Sequence, residues 1–448
     1  MVVFIDSSVV NVALPAIQRD LGGGLALQQW VVDSYLLTLG SLLLVGGSLG
    51  DLFGPRRLFM IGITLFAVTS ALCAAAPDGT VLILARGLQG VAGAVLTPAG
   101  LAVITTTFKG EARGAAVGTW TAWTGIAFVI GPLVGGWLVT HASWRWIFLI
   151  NVPLALATLA LVVAAVPARA SGTTRARVDA VGGLLCVLGL GGPVFALIEE
   201  PQRGLGDPLV LAALIGGLAV FAGFLAWERR TPQPMLPLRL FRRRNFSFAN
   251  VETLAVYGGL STLTFFLVLF LQQLAGYTAL RSGLALVPIT LVMFALSPRV
   301  GRLSMRIGSR LFMGAGPLVA AAGLAGLVRL RPGFSYWLEL LPPLLVFSVG
   351  LSLTVAPLTA TVLADVDEGE AGTASGVNNA VARVAGLLAI AVVGASVAGS
   401  QNRLDLAGFR LALIIAAALV AAGGLIGFAG IRNPGRGGDG GAAVMLDT

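Results

Sequence analysis

Long apolar runs recur along the chain, each about the length of a membrane-crossing helix and separated by short polar breaks. They lie near residues 1–17, 29–49, 57–76, 80–107, 114–140, 145–166, 180–198, 208–227, 247–272, 282–300, 309–329, 337–363, 371–398 and 409–431, which predicts fourteen spans. Crossing the hydrocarbon takes about 20 residues of helix. The runs are continuous rather than alternating, so they predict helices and not the strands of a barrel. The first run is short by this measure. A start upstream of Met1, or a first helix cut short at its inner end, is therefore expected. The fold class that follows is an all-α polytopic membrane protein.

A second pattern divides the chain. Gly47–Arg57 reads GSLGDLFGPRR, and Gly301–Arg310 reads GRLSMRIGSR. Gly47 matches Gly301, Leu49 matches Leu303, Gly54 matches Gly308 and Arg56 matches Arg310, while Met305 stands opposite Asp51. Pro98 lies twelve residues before Gly110-Glu111-Ala112, and Pro357 twelve before Gly369-Glu370-Ala371. Spans one to six then correspond to nine to fourteen. The expected organisation is an N-terminal six-helix bundle (1–166), two inserted helices with a basic linker (167–245), a C-terminal six-helix bundle (246–431) and a disordered tail (432–448). Pro232, Pro234 and Pro237 stiffen the linker. Gly47, Gly50 and Gly54 share one helical face, where a neighbouring helix is expected to approach closely.

Charge adds a direction. The formal charge is +9, and Lys109 is the single lysine. One set of loops holds Arg56, Arg57, Lys109, Arg113, Arg169, Arg175, Arg177, Arg229, Arg230, Arg242–Arg244, Arg302 and Arg306. The alternate set holds few: Arg19, Arg145, Arg203, Arg281, Arg331 and Arg403. The basic set is read as cytoplasmic, with both termini on that side of a bacterial-type cell membrane. One loop of that set is acidic, with Asp365, Asp367, Glu368 and Glu370, but acids weigh little in this rule. Topology thus accounts for the positive charge, and no nucleic-acid partner is called for. Cys73 and Cys186 sit in apolar runs without metal-ligand spacing, and His141 is the sole histidine. No metal site, disulfide framework or catalytic constellation is expected, so the chain does not read as an enzyme.

Ionisable residues inside the apolar runs carry the candidate chemistry. Asp6 lies about 18 Å before the outer end of the first span, where a charge costs roughly 2.5–3.5 kcal/mol. It is either a structural polar contact, with Asn11 or a neighbouring helix, or a proton carrier or counter-ion for a cationic ligand. Arg86 lies within the fourth span and cannot deprotonate. Its nearest inward-facing acid is Asp6, and the pair is either a fixed helix–helix tie or a switch that protonation biases. Asp33 is one turn inside the outer face, as a second titrating site or an outer gate contact. Trp30 and Tyr35 beside it read as interfacial anchors. Glu252 either snorkels to water or lines a cavity, whereas Glu199 and Glu200 are expected to be solvated. Asn11, Gln89, Trp123, Tyr257, Glu252, Asn378 and Asn379 are candidates for a substrate cavity, with weaker support from Gln272, Gln273, Trp120, Phe265 and Phe266.

Several strings together resemble one family. They are G-x-L-x-D-x-x-G-x-R at Gly47–Arg56, D-x-x-V-x-N-x-A-L-P at Asp6–Pro15, R-x-x-Q-G at Arg86–Gly90 and GIAFVIGPLVGG at Gly125–Gly136. WRWIFLINVP at Trp144–Pro153, the segment Pro234–Asn250 and the run Phe270–Pro288 extend the likeness over essentially the whole chain. The chain resembles the major facilitator superfamily, in its fourteen-span drug:proton antiporter branch. Leu52 and Pro55 depart from that pattern. The resemblance implies two six-helix bundles plus two extra helices around a central cavity. It implies export of a small amphipathic molecule against protons, with the proton as coupling ion and no other cofactor. Membrane lipid is the other partner, and oligomeric state is left open. In that scheme Asp6, Arg86 and Asp33 couple protons. Gly47, Asp51, Gly54, Arg56 and Arg57 latch the cytoplasmic gate, and Gly125, Gly131, Pro132, Gly135 and Gly136 form the interface between halves. The rivals are an uncoupled lipid or solute transporter of the same fold, a membrane-embedded enzyme and a sensor.

Overall fold

The computed structural model describes residues 2–167, 178–364, 366–367, 370–397 and 404–433, and among them all regular structure is helical. The loop residues Arg169, Arg175, Arg177, Asp365, Glu368 and Arg403, and the tail from 434 on, lie outside the described residues. The helices are α1 Val2–Leu21, α2 Gly24–Phe53, α3 Pro55–Ala75, α4 Gly79–Thr107, α5 Gly110–His141, α6 Trp146–Leu149, α7 Asn151–Ala165, α8 Ala180–Arg203, α9 Pro208–Arg230, α10 Arg244–Leu269, α11 Ala279–Ile307, α12 Ser309–Leu327, α13 Leu341–Ala364, α14 Ala371–Val397 and α15 Leu406–Gly430. Among the described residues, 13 helical segments are long and apolar enough to cross a membrane. The 32-residue α5 is the remaining long helix.

Local chemistry sets the breaks. α1 runs for 20 residues, so it is long enough to span and the expectation of a short first span does not hold. It stops where Gly22, Gly23 and Gly24 take φ of 77°, 83° and 62°, a left-handed turn that side chains oppose. The repeated hairpins use a common device. Gly54 (φ 82°, ψ 143°) and Gly308 (φ 100°, ψ 148°) each end one helix and begin the next. Asp78, Asp179, Asp207, Thr278 and Asp405 cap helices through side-chain oxygens. The single sixth span of the sequence reading divides into α6 and α7, because Pro153 has no N–H to return to Leu149 across the join.

In the first half α2 packs on α4, α3 on α4 and α7, and α1 on α5. In the second α12 packs on α13 and α15, α10 on α14 and α15, and α11 on α13. The halves meet where α14 lies along α2, α11 along α5, and α1 against α10 and α11. The inserted helices α8 and α9 pair with each other, and α8 leans on both α2 and α14. Cys186, Leu190 and Val194 of α8 share an apolar cluster there with Ala26, Leu387 and Ala391. In the acidic loop, Glu370 pairs with Arg239 at 2.5 Å and Asp367 with Arg243 at 2.7 Å, which ties the linker to the start of α14.

The halves are zipped together at the end that carries the α1–α2 turn. Gln29 donates to the Ile390 carbonyl at 3.0 Å, Gln272 to the Val12 carbonyl at 2.8 Å and Gln273 to Gln18 at 3.0 Å. These glutamines hold helices together rather than face a ligand. At the opposite end the last turns of α11 and the first turns of α5 are mostly exposed. The molecule is thus closed at one end between α5 and α11 and splayed at the other.

Candidate functional site

Inside the first half, α1, α2, α3, α4, α6 and α7 converge on one polar cluster. Asp6 and Arg86 are each 1% exposed. Arg86 Nη1 donates to Asp6 Oδ2 at 2.6 Å and to Gln89 Oε1 at 2.7 Å, and Arg86 Nε donates to the Val31 carbonyl at 3.0 Å. Asp6 Oδ1 accepts from Gln89 at 3.1 Å and from Asn151 at 3.0 Å. Asn151 also donates to Ser70 Oγ, which donates to the Phe148 carbonyl. The guanidinium lies 4.1 Å from the centre of the Tyr35 ring and 5.7 Å from that of Phe148. A permanent cation in the membrane thus has a carboxylate, an amide, a carbonyl and an aromatic face around it. The carboxylate takes three donors.

Helix geometry explains the convergence. Arg86 and Gln89 are three apart on α4, so both face α1. Gly90 on the same helix lets α2 approach: a Cβ there would fall 2.1 Å from Thr38 Oγ1 and 2.4 Å from the Tyr35 carbonyl. The α6–α7 break turns Asn151 inward, and it is fully buried. Gln89 belongs to this cluster and not to an open cavity wall. Tyr35 is 1% exposed under the guanidinium, so it is no interfacial anchor. Asn151, Ser70, Tyr35 and Phe148 escape the sequence reading of the site. The one available signal is an asparagine in an otherwise apolar run.

Two other carboxylates are fully buried and accept no hydrogen bond among the described residues. Asp33 lies on α2. Glu252 lies on α10, where a Cβ at Gly427 would fall 2.8 Å from its Oε2, so it packs on the glycine face of α15. Snorkelling of Glu252 to water is thereby corrected: Gly423 and Gly427 leave room for it inside the bundle. Nor are Glu199 and Glu200 freely solvated: both are half-buried, and Glu199 accepts from Trp30 Nε1 and from Arg203.

The gate residues separate. A Cβ at Gly47 would meet nothing, and one at Gly50 would touch only the Leu58 side chain at 3.7 Å. The expected close approach is instead at Gly46, where a Cβ would fall 2.1 Å from the Ala94 carbonyl of α4. Gly54 forms the turn. Arg56 donates to the Val163 carbonyl of α7 at 3.3 Å, within its own half, and Arg57 is exposed. The side chain of Asp51 and the surroundings of Gly125 lie outside the described set. On α5, Gly131 and Gly135 abut Ser8 and Val9 of α1, whereas Gly136 abuts Ala279 and Leu280 of α11. The Pro132 carbonyl would be 2.4 Å from a Cβ at Gly283 of α11. The small-residue face therefore serves both the first half and the seam between halves.

Among the cavity candidates, Asn11 and Tyr257 are half-buried, and Asn11 Oδ1 has no partner among the described residues. Asn378 donates to Asn250 and Thr253 of α10, a contact inside the second half. Asn379 is exposed and bonds back to the Ser375 carbonyl, and Trp123 is 50% exposed. Phe265 and Phe266 are fully buried core, not cavity wall.

Helices of this number and pairing define a transporter-type membrane fold. Solved structures agree. A bacterial homologue of the human lysosomal transporter Spinster, inward-facing and unoccupied, superimposes with a TM-score of 0.70 at 13% identity, over 96% of this chain and 94% of that one. The xylose transporter XylE from E. coli, in a partially occluded inward-open conformation, gives 0.63 at 12%, over 96% and 95%. The model of the Major Facilitator Superfamily matches residues 1–390, and the chain belongs to that family. It is a multi-pass membrane transporter and not an enzyme. The puromycin resistance protein pur8 of Streptomyces alboniger is 40% identical over 401 residues, covering 88% of this chain and 78% of that one. An uncharacterized MFS-type transporter, EfpA, of Mycobacterium tuberculosis is 37% identical over 393 residues, covering 87% and 73%. The methylenomycin A resistance protein of Bacillus subtilis is 32% identical over 427 residues, covering 93% and 90%.

Proposed function

We propose that the chain is a proton-coupled exporter of small amphipathic, drug-like molecules, with both termini in the cytoplasm and the splayed end facing inward. The observation that carries the reading is the buried Asp6–Arg86–Gln89–Asn151 cluster. Asp6 accepts three donors as an anion. A proton on it would place a donor against donors and weaken its hold on Arg86. Proton binding and the closed cluster then exclude one another, and α1, which also carries the half-buried Asn11, is free to shift. The resistance proteins among the relatives support the direction of transport. The proton is the only coupling ion the scheme needs.

Asp6→Asn keeps the side-chain size and removes the titrating group. In proteoliposomes it should abolish pH-driven efflux of a lipophilic dye while dye binding persists. Coupled efflux at the unaltered rate in that variant would remove Asp6 from the mechanism and leave the cluster as a helix–helix tie.

A further inference from the structure

Arg86 and Arg383 each lie near the middle of an apolar helix, and among the described residues only the first is in an ion pair. Arg86 has Asp6. Arg383 stands twelve residues from the start of α14 and fourteen from its end, about 18 and 21 Å along the axis. No ion pair or hydrogen bond joins it to any described residue. The face of Phe4 on α1 lies 5.6 Å from the guanidinium carbon. α14 crosses α2 at this point, where a Cβ at Gly40 would lie 3.1 Å from the Arg383 Cβ. The side chain is half-buried and lies between α14 of the second half and α1 of the first.

The surroundings suit a solute better than a structural role. The face of α1 that carries Phe4 also carries Ser7 and Asn11, both half-buried. Tyr257, also half-buried, lies on α10, which packs along α14. An arginine is permanently charged, and its planar fork matches an oxyanion through two parallel hydrogen bonds. An uncompensated charge at this depth is costly. A ligand that brings the missing negative charge recovers that cost on binding. We propose that Arg383 is the oxyanion-binding residue of the transport cleft. Its ligands are then aromatic amphipaths that bear a carboxylate, sulfonate or phosphate, with the ring beside Phe4. The proposal rests on the reading of this cleft as the path of a small molecule. Asp33 competes for the role: it is buried with no hydrogen-bond partner among the described residues and shares a face of α2 with Gly40 two turns away.

A matched pair of dyes tests it. Anilinonaphthalenesulfonate and phenylnaphthylamine share a ring system and differ by one sulfonate. Their affinities are measured by fluorescence for the full chain in phosphatidylcholine nanodiscs. The unaltered protein should prefer the sulfonate. Arg383→Gln should weaken sulfonate binding about tenfold to hundredfold, with the neutral dye changed less than about twofold. Arg383→Lys, which keeps the charge and loses the fork, should give a smaller but equally selective loss, and it decides the matter if Arg383→Gln does not fold. No preference in the unaltered protein, or equal weakening of both dyes, would overturn the proposal in favour of a structural arginine that swings to Asp33. Phosphatidylglycerol in the discs separates two sources of oxyanion. Competition with the sulfonate assigns the site to a lipid headgroup, and unchanged binding assigns it to a free solute; either supports the oxyanion site. No gradient is applied, so a failure of proton coupling leaves this result untouched, and the reverse also holds.

Discussion

At the scale of the residue, the decisive feature is how completely Arg86 is matched. Its fork reaches Asp6, Gln89 and the Val31 carbonyl at once, and the Tyr35 ring covers it. Removing one partner of a buried pair leaves the other uncompensated, which costs about 3–5 kcal/mol. Arg86→Ala should therefore lower the thermal unfolding midpoint in detergent far more than Arg57→Ala, which removes an exposed side chain. Arg86→Lys should fall between them, because a point charge holds Asp6 but cannot span the other acceptors. Equal midpoints for the two alanine variants would show that the cluster contributes nothing to the fold. Asp6 and Arg86 stand out in the sequence because a charge in an apolar run is costly wherever it points. Tyr35 and Asn151 do not stand out, because a tyrosine or an asparagine near a helix end has many ordinary uses.

At the scale of the element, small residues set how near helices come. The sequence shows a run of glycines at the end of α2 but not which of them a neighbour uses. The structure places the close contact at Gly46, against the backbone of α4, and leaves Gly47 open. Overpacking a tight contact costs about 1–3 kcal/mol. Gly46→Ala should thus destabilise the protein by about that amount, whereas Gly47→Ala should be neutral or slightly stabilising, since alanine favours helix. Comparing the two by thermal unfolding checks the register of α2 on α4, and the reverse order would mean that the register is wrong by one residue. The break between these spans is legible without coordinates, but Gly54 reads in the sequence as part of a packing face. Only the structure shows that Gly54 and Gly308 take positive φ and form the turns, at the same place in the repeated string. The α6–α7 break was not legible, because a proline in the first turn of a helix is ordinary and only the fold shows that this one interrupts a span.

At the scale of the whole molecule, the seam between α5 and α11 closes one end. Gly136 lies on Ala279 and Leu280, and the backbone of Leu280 donates to Thr140 Oγ1 at 3.3 Å. If the two halves rock about this seam, locking it should stop transport. A disulfide between cysteines placed at Thr140 and Leu280 should reduce transport to background, and a reductant should restore it. The native cysteines, Cys73 and Cys186, are buried and should not interfere. Full transport by the oxidised double variant would mean that this end need not open. The hairpin of α8 and α9 bears on the same motion, since α8 touches both α2 and α14 and must slide on one when the halves move apart.

The sequence by itself determined the all-helical membrane class, the order of the apolar spans and the costly charges Asp6 and Arg86, while the charge of Arg383 escaped it. What it determined follows from a local property: apolar length, or the cost of charge in hydrocarbon. Only the tertiary structure decided which faces meet. It buried Phe265 and Phe266 while leaving Trp123 half exposed, sank Glu252 among glycines, and set Arg383 opposite Phe4 with no ion pair among the described residues. The reason is physical. In lipid, a leucine or phenylalanine is equally at home against acyl chains or against another helix, so hydropathy fixes the depth of a span and not its rotation. Rotation comes from close packing and hydrogen bonds between helices far apart in the chain, and those exist only once the bundle has formed.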